Sequence, residues 1–101
     1  MNKFIGIGRL TKEVEVRFTT SNVKVAKFTL AINRENKKDE SDFINCVAYG
    51  NQADLVSKYL DKGSKVSVEG HIQTGSYEKD GKKTYTTDIV VEKIQFLDGK
   101  K

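Results

Sequence analysis

Residues 43–68, FINCVAYGNQADLVSKYLDKGSKVSV, change their hydrophobic pattern twice. The first seven residues are almost entirely apolar and predict a strand, which is expected to end at Gly50. From Asn51 to Lys62 the apolar residues instead stand four apart, which predicts a helix with one apolar stripe made of Leu55, Val56, Tyr59 and Leu60. A period of two begins at Lys65. The stretch therefore predicts a strand, a helix and a second strand, in that order.

The ends of this helix are marked by capping residues. Asn51 is a suitable N-cap, and Asp54 favours the positive end of the helix dipole. Lys58 and Lys62 lie towards the negative end, and Gly63 is expected to stop the helix in a left-handed conformation. This is the one helix that the sequence predicts.

The segments before residue 43 predict strands. Asn2–Leu10 and Glu13–Phe18 both alternate, and so does the longer Val23–Arg34. The side chains expected to face inward are Val14, Val16, Phe18, Ala26, Phe28, Leu30 and Ile32. Asn36–Asp42 contains no apolar residue and is predicted to be an exposed loop.

The C-terminal third predicts a long hairpin. Asp80-Gly81 lies between two strand-like arms, which is a strong signal for a tight turn. Lys65–Gln73 and Thr84–Leu97 alternate on either side of it. Three strands, one helix and a two-stranded hairpin suit an all-β fold with one helix. We expect a single domain over residues 1–101, a five-stranded Greek-key barrel of the OB type with the helix between strands 3 and 4 and an extended 4–5 hairpin.

Composition agrees with a small β-rich domain. Among the 101 residues, Val, Ile, Thr, Phe and Tyr total 34, whereas Ala, Leu and Met total 10. No apolar run approaches the roughly 18–20 residues of a membrane span, and the N-terminus lacks a signal-peptide pattern. The single cysteine cannot form an internal disulfide. We therefore expect a cytoplasmic protein.

The net charge of +4 is unevenly distributed. Residues 1–38 carry nine Lys or Arg against three acids, whereas residues 39–61 carry one against five. A basic surface opposite a neutral or acidic one favours a polyanionic partner.

The sequence gives little support for catalysis. His71 is the only histidine and has no second imidazole for a relay or a metal pair. Cys46 lies within an apolar strand, where an inert buried thiol is expected. No phosphate-binding loop or metal-ligand spacing occurs. We expect neither an enzyme nor a cofactor or metal site.

Nucleic-acid binding is better supported. Phe43 and Tyr49 are six residues apart in one strand, so their side chains share a face about 20 Å long. Tyr49 is in phase with polar Asn45, and Tyr77 stands among polar residues, whereas Phe4, Phe18, Phe28 and Phe96 are expected to fill the core. Exposed rings on a basic face suit base stacking. The candidate phosphate-binding cations are Lys3, Arg9, Arg17, Arg34, Lys62, Lys79, Lys82 and Lys83.

Several segments resemble the bacterial and phage single-stranded DNA-binding proteins. They include the opening NKFIGIGRL with EVRF, then FTLAINR, DFINCVAYG, YLDKGSKV, VEG and TYTT. Together they cover nearly the whole chain in the same order. The resemblance implies an OB fold that binds single-stranded DNA without strong sequence preference. It also implies an oligomer, usually a homotetramer.

The resemblance carries over to individual positions. Phe43, Tyr49 and Tyr77 match the family's base-stacking aromatics. The positions where the family commonly places backbone-contacting cations correspond to Lys3, Arg17 and Lys62. A further stacking aromatic of the family falls near Asn36 here, so that contact is expected to be lost or moved to Arg34.

The C-terminus departs from the family pattern. Relatives usually continue into a flexible linker and an acidic tip that recruits other enzymes, whereas residues 98–101 here, Asp-Gly-Lys-Lys, are basic overall. Tail-mediated partners are therefore not expected. A trimmed core domain, a phage or mobile-element variant and a tailless primosomal, replication-restart relative, typically a dimer, all remain open. An RNA- or protein-binding OB module is the other alternative. The first strand, with Ile5 and Ile7, is the candidate surface for self-association.

Overall fold

A computed structural model describes residues 1–97, apart from the side chain of Lys38. The predictions made for residues 98–101 lie outside the described residues. The elements in chain order are β1 (Phe4–Leu10), β2 (Glu15–Phe18), β3 (Lys24–Arg34), β4 (Lys37–Tyr49), α1 (Asn51–Tyr59), β5 (Lys65–Lys79) and β6 (Lys82–Phe96).

The strands form a closed barrel. Their order in the sheet is β1-β5-β6-β4-β3-β2, and an additional antiparallel pairing of β1 with β3, through Arg9 with Ala31 and Leu10 with Leu30, closes five strands into a ring. The short β2 pairs with β3 outside that ring. Counting β1 and β2 as two halves of one strand places α1 between the third and fourth strands. The predicted five-stranded OB-type barrel with one helix and a C-terminal hairpin is confirmed.

The core lies inside the barrel and under α1. The inward residues of β3, which are Ala26, Phe28 and Leu30, are buried as the alternation predicts. They pack with residues of the other strands and the helix, including Leu10, Cys46, Ala53, Val56, Val66, Val68, Ile89 and Val91. Since one face of each strand supplies this core, the other face is left for solvent or a ligand.

The helix differs from its prediction at both ends. Gly50, with φ 59° and ψ −122°, occupies the N-cap, and Asn51 is the first helical residue and makes no side-chain cap. The buried residues are Ala53, Val56 and Leu60, whereas Leu55 and Tyr59 are exposed. The strand end needs a backbone conformation that only glycine readily adopts, and this sets the start of the helix. The helix ends at Tyr59, so Lys62 lies beyond it.

The prediction of an exposed loop at Asn36–Asp42 is wrong. Strand β4 begins at Lys37, and β3 and β4 form a hairpin joined by Glu35 and Asn36. Both faces of this hairpin end are polar, and Ser41 Oγ donates a hydrogen bond to Asn33 Oδ1 across it at 2.8 Å. A strand without apolar residues has no alternation for a hydrophobic pattern to reveal.

Three residues assigned to the core lie outside it. Phe18 is 62 % exposed, and Val16 and Phe96 are also exposed. β2 lies at the edge of the sheet, where it pairs with β3, and all four of its residues are exposed. The ring of Phe96 contacts that of Tyr59, with centroids 5.6 Å apart.

The β5–β6 hairpin has the predicted turn. Asp80 and Gly81 have φ values of 53° and 77°, as a type I′ turn requires. A register shift lies between Glu69 and Gly70. A Cβ placed on Gly70 would lie 2.1 Å from the carbonyl oxygen of Val90, so this close approach of two strands requires glycine.

Candidate nucleic-acid interface

The outer face of β4 carries two of the three predicted stacking rings. Residues 44, 46 and 48 of this strand point towards the core, and residues 43, 45, 47 and 49 lie on the opposite face, where Val47 is buried and the other three are exposed. Phe43 is 66 % exposed and Tyr49 is 45 % exposed. Both rings are therefore available to a ligand.

Strand register brings an arginine into the same row as each of these rings. Tyr49 pairs with Val25, which pairs with Arg17 on β2. Phe43 pairs with Ala31, which pairs with Arg9 on β1. Paired residues share a face, and neighbouring strands are about 4.8 Å apart, so each arginine backbone lies about 10 Å from its ring's backbone on the outer face.

Tyr77 continues the same face onto the hairpin. It pairs with Thr84, and Lys79 pairs with Lys82 beside it on the same side. Val90 is on this side of β6 and pairs with Val47 of β4, which joins the two surfaces. Tyr77 is 54 % exposed. We call this joined surface, which carries Phe43, Tyr49 and Tyr77, the outer aromatic face.

Tyr85 is equally accessible but lies on the other side of the hairpin. It pairs with Ser76, one residue out of phase with Tyr77. The ammonium group of Lys83 lies 5.7 Å from the centre of its ring. The hairpin therefore presents one exposed tyrosine on each side, and only Tyr77 belongs to the outer aromatic face.

The charge of Arg34 is held by carboxylates. Its guanidinium donates to both oxygens of Asp42, at 2.9 to 3.2 Å, and to Glu40 at 3.1 Å. Hydrogen bonding to Asp42 raises the pKa of Arg34, and the same bond lowers the pKa of Asp42. A nucleic-acid phosphate would have to compete with this pairing.

Lys3 also lies within a charged cluster. Its ammonium group is 3.0 Å from Glu69 and 3.3 Å from Glu92, and Glu92 lies 2.6 Å from His71 Nδ1. Hydrogen bonds to the two glutamates raise the pKa of Lys3, and those from His71 and Lys3 lower the pKa of Glu92. His71 is therefore one member of a charged cluster on the protein surface.

The remaining predicted cations lie in three places. Arg9 donates to the carbonyl of Gly63 at 2.9 Å, which brings the segment containing Lys62 against the end of β1. Arg17 pairs with Glu15 at 3.2 Å. Lys79 and Lys82 flank the hairpin turn and form no ion pair with any residue from 1 to 97.

Two further lysines face this surface without having been singled out in the sequence. Lys27 and Lys12 line a groove beside the outer face of β4. The alternation of β3 places Lys27 outward, in phase with Val25 and Thr29, so the strand pattern could have identified it. Lys12 lies in the connection after β1, where no periodic signal applies.

The thiol of Cys46 is poorly suited to nucleophilic chemistry. Cys46 is buried, and burial together with the charge of Asp88 raises the pKa of its thiol to about 12. Among residues 1–97 no group of three or more His, Cys, Asp or Glu side chains is placed to hold a metal ion. The same residues include no helix that is long and apolar enough to cross a bilayer.

The chain forms a closed OB-type barrel, and the outer face of its sheet carries exposed rings and cations. These features place it among the OB-fold domains whose surface is suited to nucleic-acid binding. Comparison with known proteins makes the assignment specific. Residues 1–97 match the model of the single-strand binding protein family. The chain belongs to this family.

Curated relatives match the chain along almost its whole length. A single-stranded DNA-binding protein of Clostridium perfringens is 53% identical over 100 residues, covering 97% of this chain and 67% of its own length. One from Bacillus cereus is 48% identical, covering 97% of this chain and 61% of its own. Single-stranded DNA-binding protein 2 of Listeria monocytogenes is 46% identical, with 99% and 66% covered. The chain thus spans about two thirds or less of the length of these relatives.

Proposed function

We propose that this chain, as a single OB domain, binds single-stranded DNA without strong sequence preference. Unpaired bases stack on Phe43, Tyr49 and Tyr77, and Lys and Arg side chains neutralise the phosphates. The observation that carries this proposal is the outer aromatic face, on which three rings are each about half exposed or more. The names of the relatives support DNA as the ligand.

Stacking and charge have separate roles in this proposal. A ring contributes about 1–3 kcal/mol per stacked base and accepts any base, because every base has a π-face. Lys79 and Lys82 are the best placed cations, because no carboxylate of the described residues competes for them. Arg34, Lys3 and Arg17 contribute only when phosphate displaces their carboxylate partners.

The experiment is a titration of oligo-dT with the wild type and the triple variant F43A/Y49A/Y77A. Loss of three stacking contacts is expected to weaken binding by more than about a hundredfold. Thermal unfolding of the variant checks that the exposed rings are dispensable for folding. Unchanged affinity would refute the stacking assignment.

The same titration repeated over a range of salt concentrations tests the charge component. The affinity is expected to fall with salt at a log–log slope of about −0.7 for each phosphate neutralised. Competition with RNA of the same sequence separates this proposal from the RNA-binding alternative, which predicts equal affinity for the two polymers.

The wider role follows from the ligand. A protein that coats exposed single strands protects them during replication, recombination and repair, and it needs no catalytic group or cofactor. We place it in the bacterial cytoplasm, where those strands arise. Self-association as a homotetramer, or as a dimer, is supported by Ile5 and Ile7, which are 69 % and 52 % exposed on β1.

A further inference from the structure

The outer edge of β2 is open. This strand comes last in the sheet order, and among the described residues it pairs only with β3. Thr19 N donates to Val23 O at 2.9 Å in the same register, so the backbone groups of Thr19 and Arg17 are directed towards β3. The N–H and C=O groups of Val16 and Phe18 alternate with them and therefore point away from the sheet.

The side chains of β2 suit the addition of a further strand at this edge. Val16 and Phe18 are exposed on one face. Glu15 and Arg17 share the other face, where their charged groups lie 3.2 Å apart and both side chains are exposed. An edge strand with exposed apolar side chains and unpaired backbone groups is a template for strand pairing.

The charges of β2 favour a second copy of the same strand as the occupant. Two antiparallel copies related by a two-fold axis at Val16 place each Glu15 opposite Arg17 of the other copy. This register also brings the outward backbone groups of the two Val16 residues together and sets Phe18 opposite Val14. An axis at Glu15 or at Arg17 instead places two like charges opposite each other, which is destabilising. Charge complementarity therefore selects one register.

We propose that the edge of β2 is a self-association surface, at which two copies of this chain pair antiparallel about Val16 and join their sheets. The contact is separate from the one proposed for Ile5 and Ile7, since β1 lies at the opposite end of the sheet order. Arg17 lies in the same row of the outer aromatic face as Tyr49. The joined sheets thus extend this face from one copy to the next.

Disulfide trapping tests the register. In this pairing the two Val16 Cα atoms are about 5.5 Å apart, within the range that a disulfide spans, whereas the two Phe18 Cα atoms are about 14 Å apart. At high protein concentration and under mild oxidation, Val16→Cys is therefore expected to form a linked dimer about tenfold faster than Phe18→Cys. Both positions are exposed, so neither change is expected to prevent folding. The native Cys46 does not interfere, because it is buried and the pKa of its thiol is raised to about 12.

Charge variants test the same contact when they are added to Val16→Cys. Glu15→Arg and Arg17→Glu each place like charges opposite each other, twice in every pair. Each is expected to slow cross-linking about fivefold or more. A mixture of the two variants restores both opposite-charge contacts in a mixed pair, so the mixture is expected to cross-link faster than either variant alone. Mixing cannot restore an ion pair that was lost within one chain.

Equal rates for Val16→Cys and Phe18→Cys overturn the proposal, because random collision at an open edge, or at an edge that binds a strand of a different protein, gives this result. Faster cross-linking of Phe18→Cys overturns the register. A mixture of the charge variants that reacts no faster than each variant alone overturns the self-pairing. These measurements contain no DNA, so any of these results leaves the proposed function standing.

Discussion

The thiol of Cys46 is enclosed by the barrel, and this sets its chemistry. Burial and the nearby charge of Asp88 raise its pKa to about 12, so only a very small fraction is thiolate at pH 8. Alkylation by iodoacetamide is expected to be at least about a thousandfold slower in the folded protein than in guanidinium chloride. Rapid labelling of the folded protein at pH 8 would contradict this description of the thiol.

At the same scale, the alternation of a strand identifies which side chains face outward only where a layer covers the other face. Phe43 and Tyr49 are exposed because Ile44, Cys46 and Ala48 face the core. Phe18 alternates with the polar Glu15 and Arg17, which predicts that it faces inward, yet its strand lies at the sheet edge and all four of its residues are exposed. The carboxylate partners of Arg34 also escape prediction, because they depend on the hairpin register.

Among the elements, the strands and the helix could be predicted wherever apolar residues mark a period. The helix start is set by the backbone of Gly50 rather than by the side chain of Asn51. The first part of β4 is polar on both faces, so its strand character comes from cross-strand hydrogen bonds that the sequence does not display.

Gly70 provides a prediction at this scale. The substitution Gly70→Ala places a methyl group against the backbone of Val90 and is expected to destabilise the fold by about 1–3 kcal/mol. In Gly75→Ala, on the same strand, the new methyl group meets only the Thr86 side chain at 3.2 Å, so a change within about 0.5 kcal/mol is expected. Urea unfolding of both variants measures the difference, and equal free energies of unfolding would contradict the close approach of β5 and β6.

For the whole molecule, the order of elements indicated the barrel, but its closure could not be read from the sequence. The ring closes through two residue pairs between β1 and β3 and two between β4 and β6. Such short pairings carry no pattern of their own. They nevertheless decide that Tyr77 on the hairpin and Tyr49 on β4 share one surface.

The exposed isoleucines of β1 give a prediction about assembly. Placing a charge in an apolar contact between subunits is costly, so Ile5→Lys is expected to shift the mass measured by light scattering towards that of one chain. Leu55→Lys, on the exposed side of α1, is the control and should leave the mass unchanged. An unchanged mass for an oligomeric Ile5→Lys variant would exclude this part of β1 from the interface.

The central claim is that single-stranded DNA follows the outer aromatic face, and the two tyrosines of the hairpin test it most directly. Tyr77→Ala and Tyr85→Ala each remove one exposed ring, from opposite sides of the same hairpin. The measurement is the affinity of each variant for oligo-dT at one salt concentration. We expect Tyr77→Ala to lose about 1–3 kcal/mol of binding free energy and Tyr85→Ala to bind as the wild type does. Equal losses, or a loss confined to Tyr85→Ala, would contradict the claim.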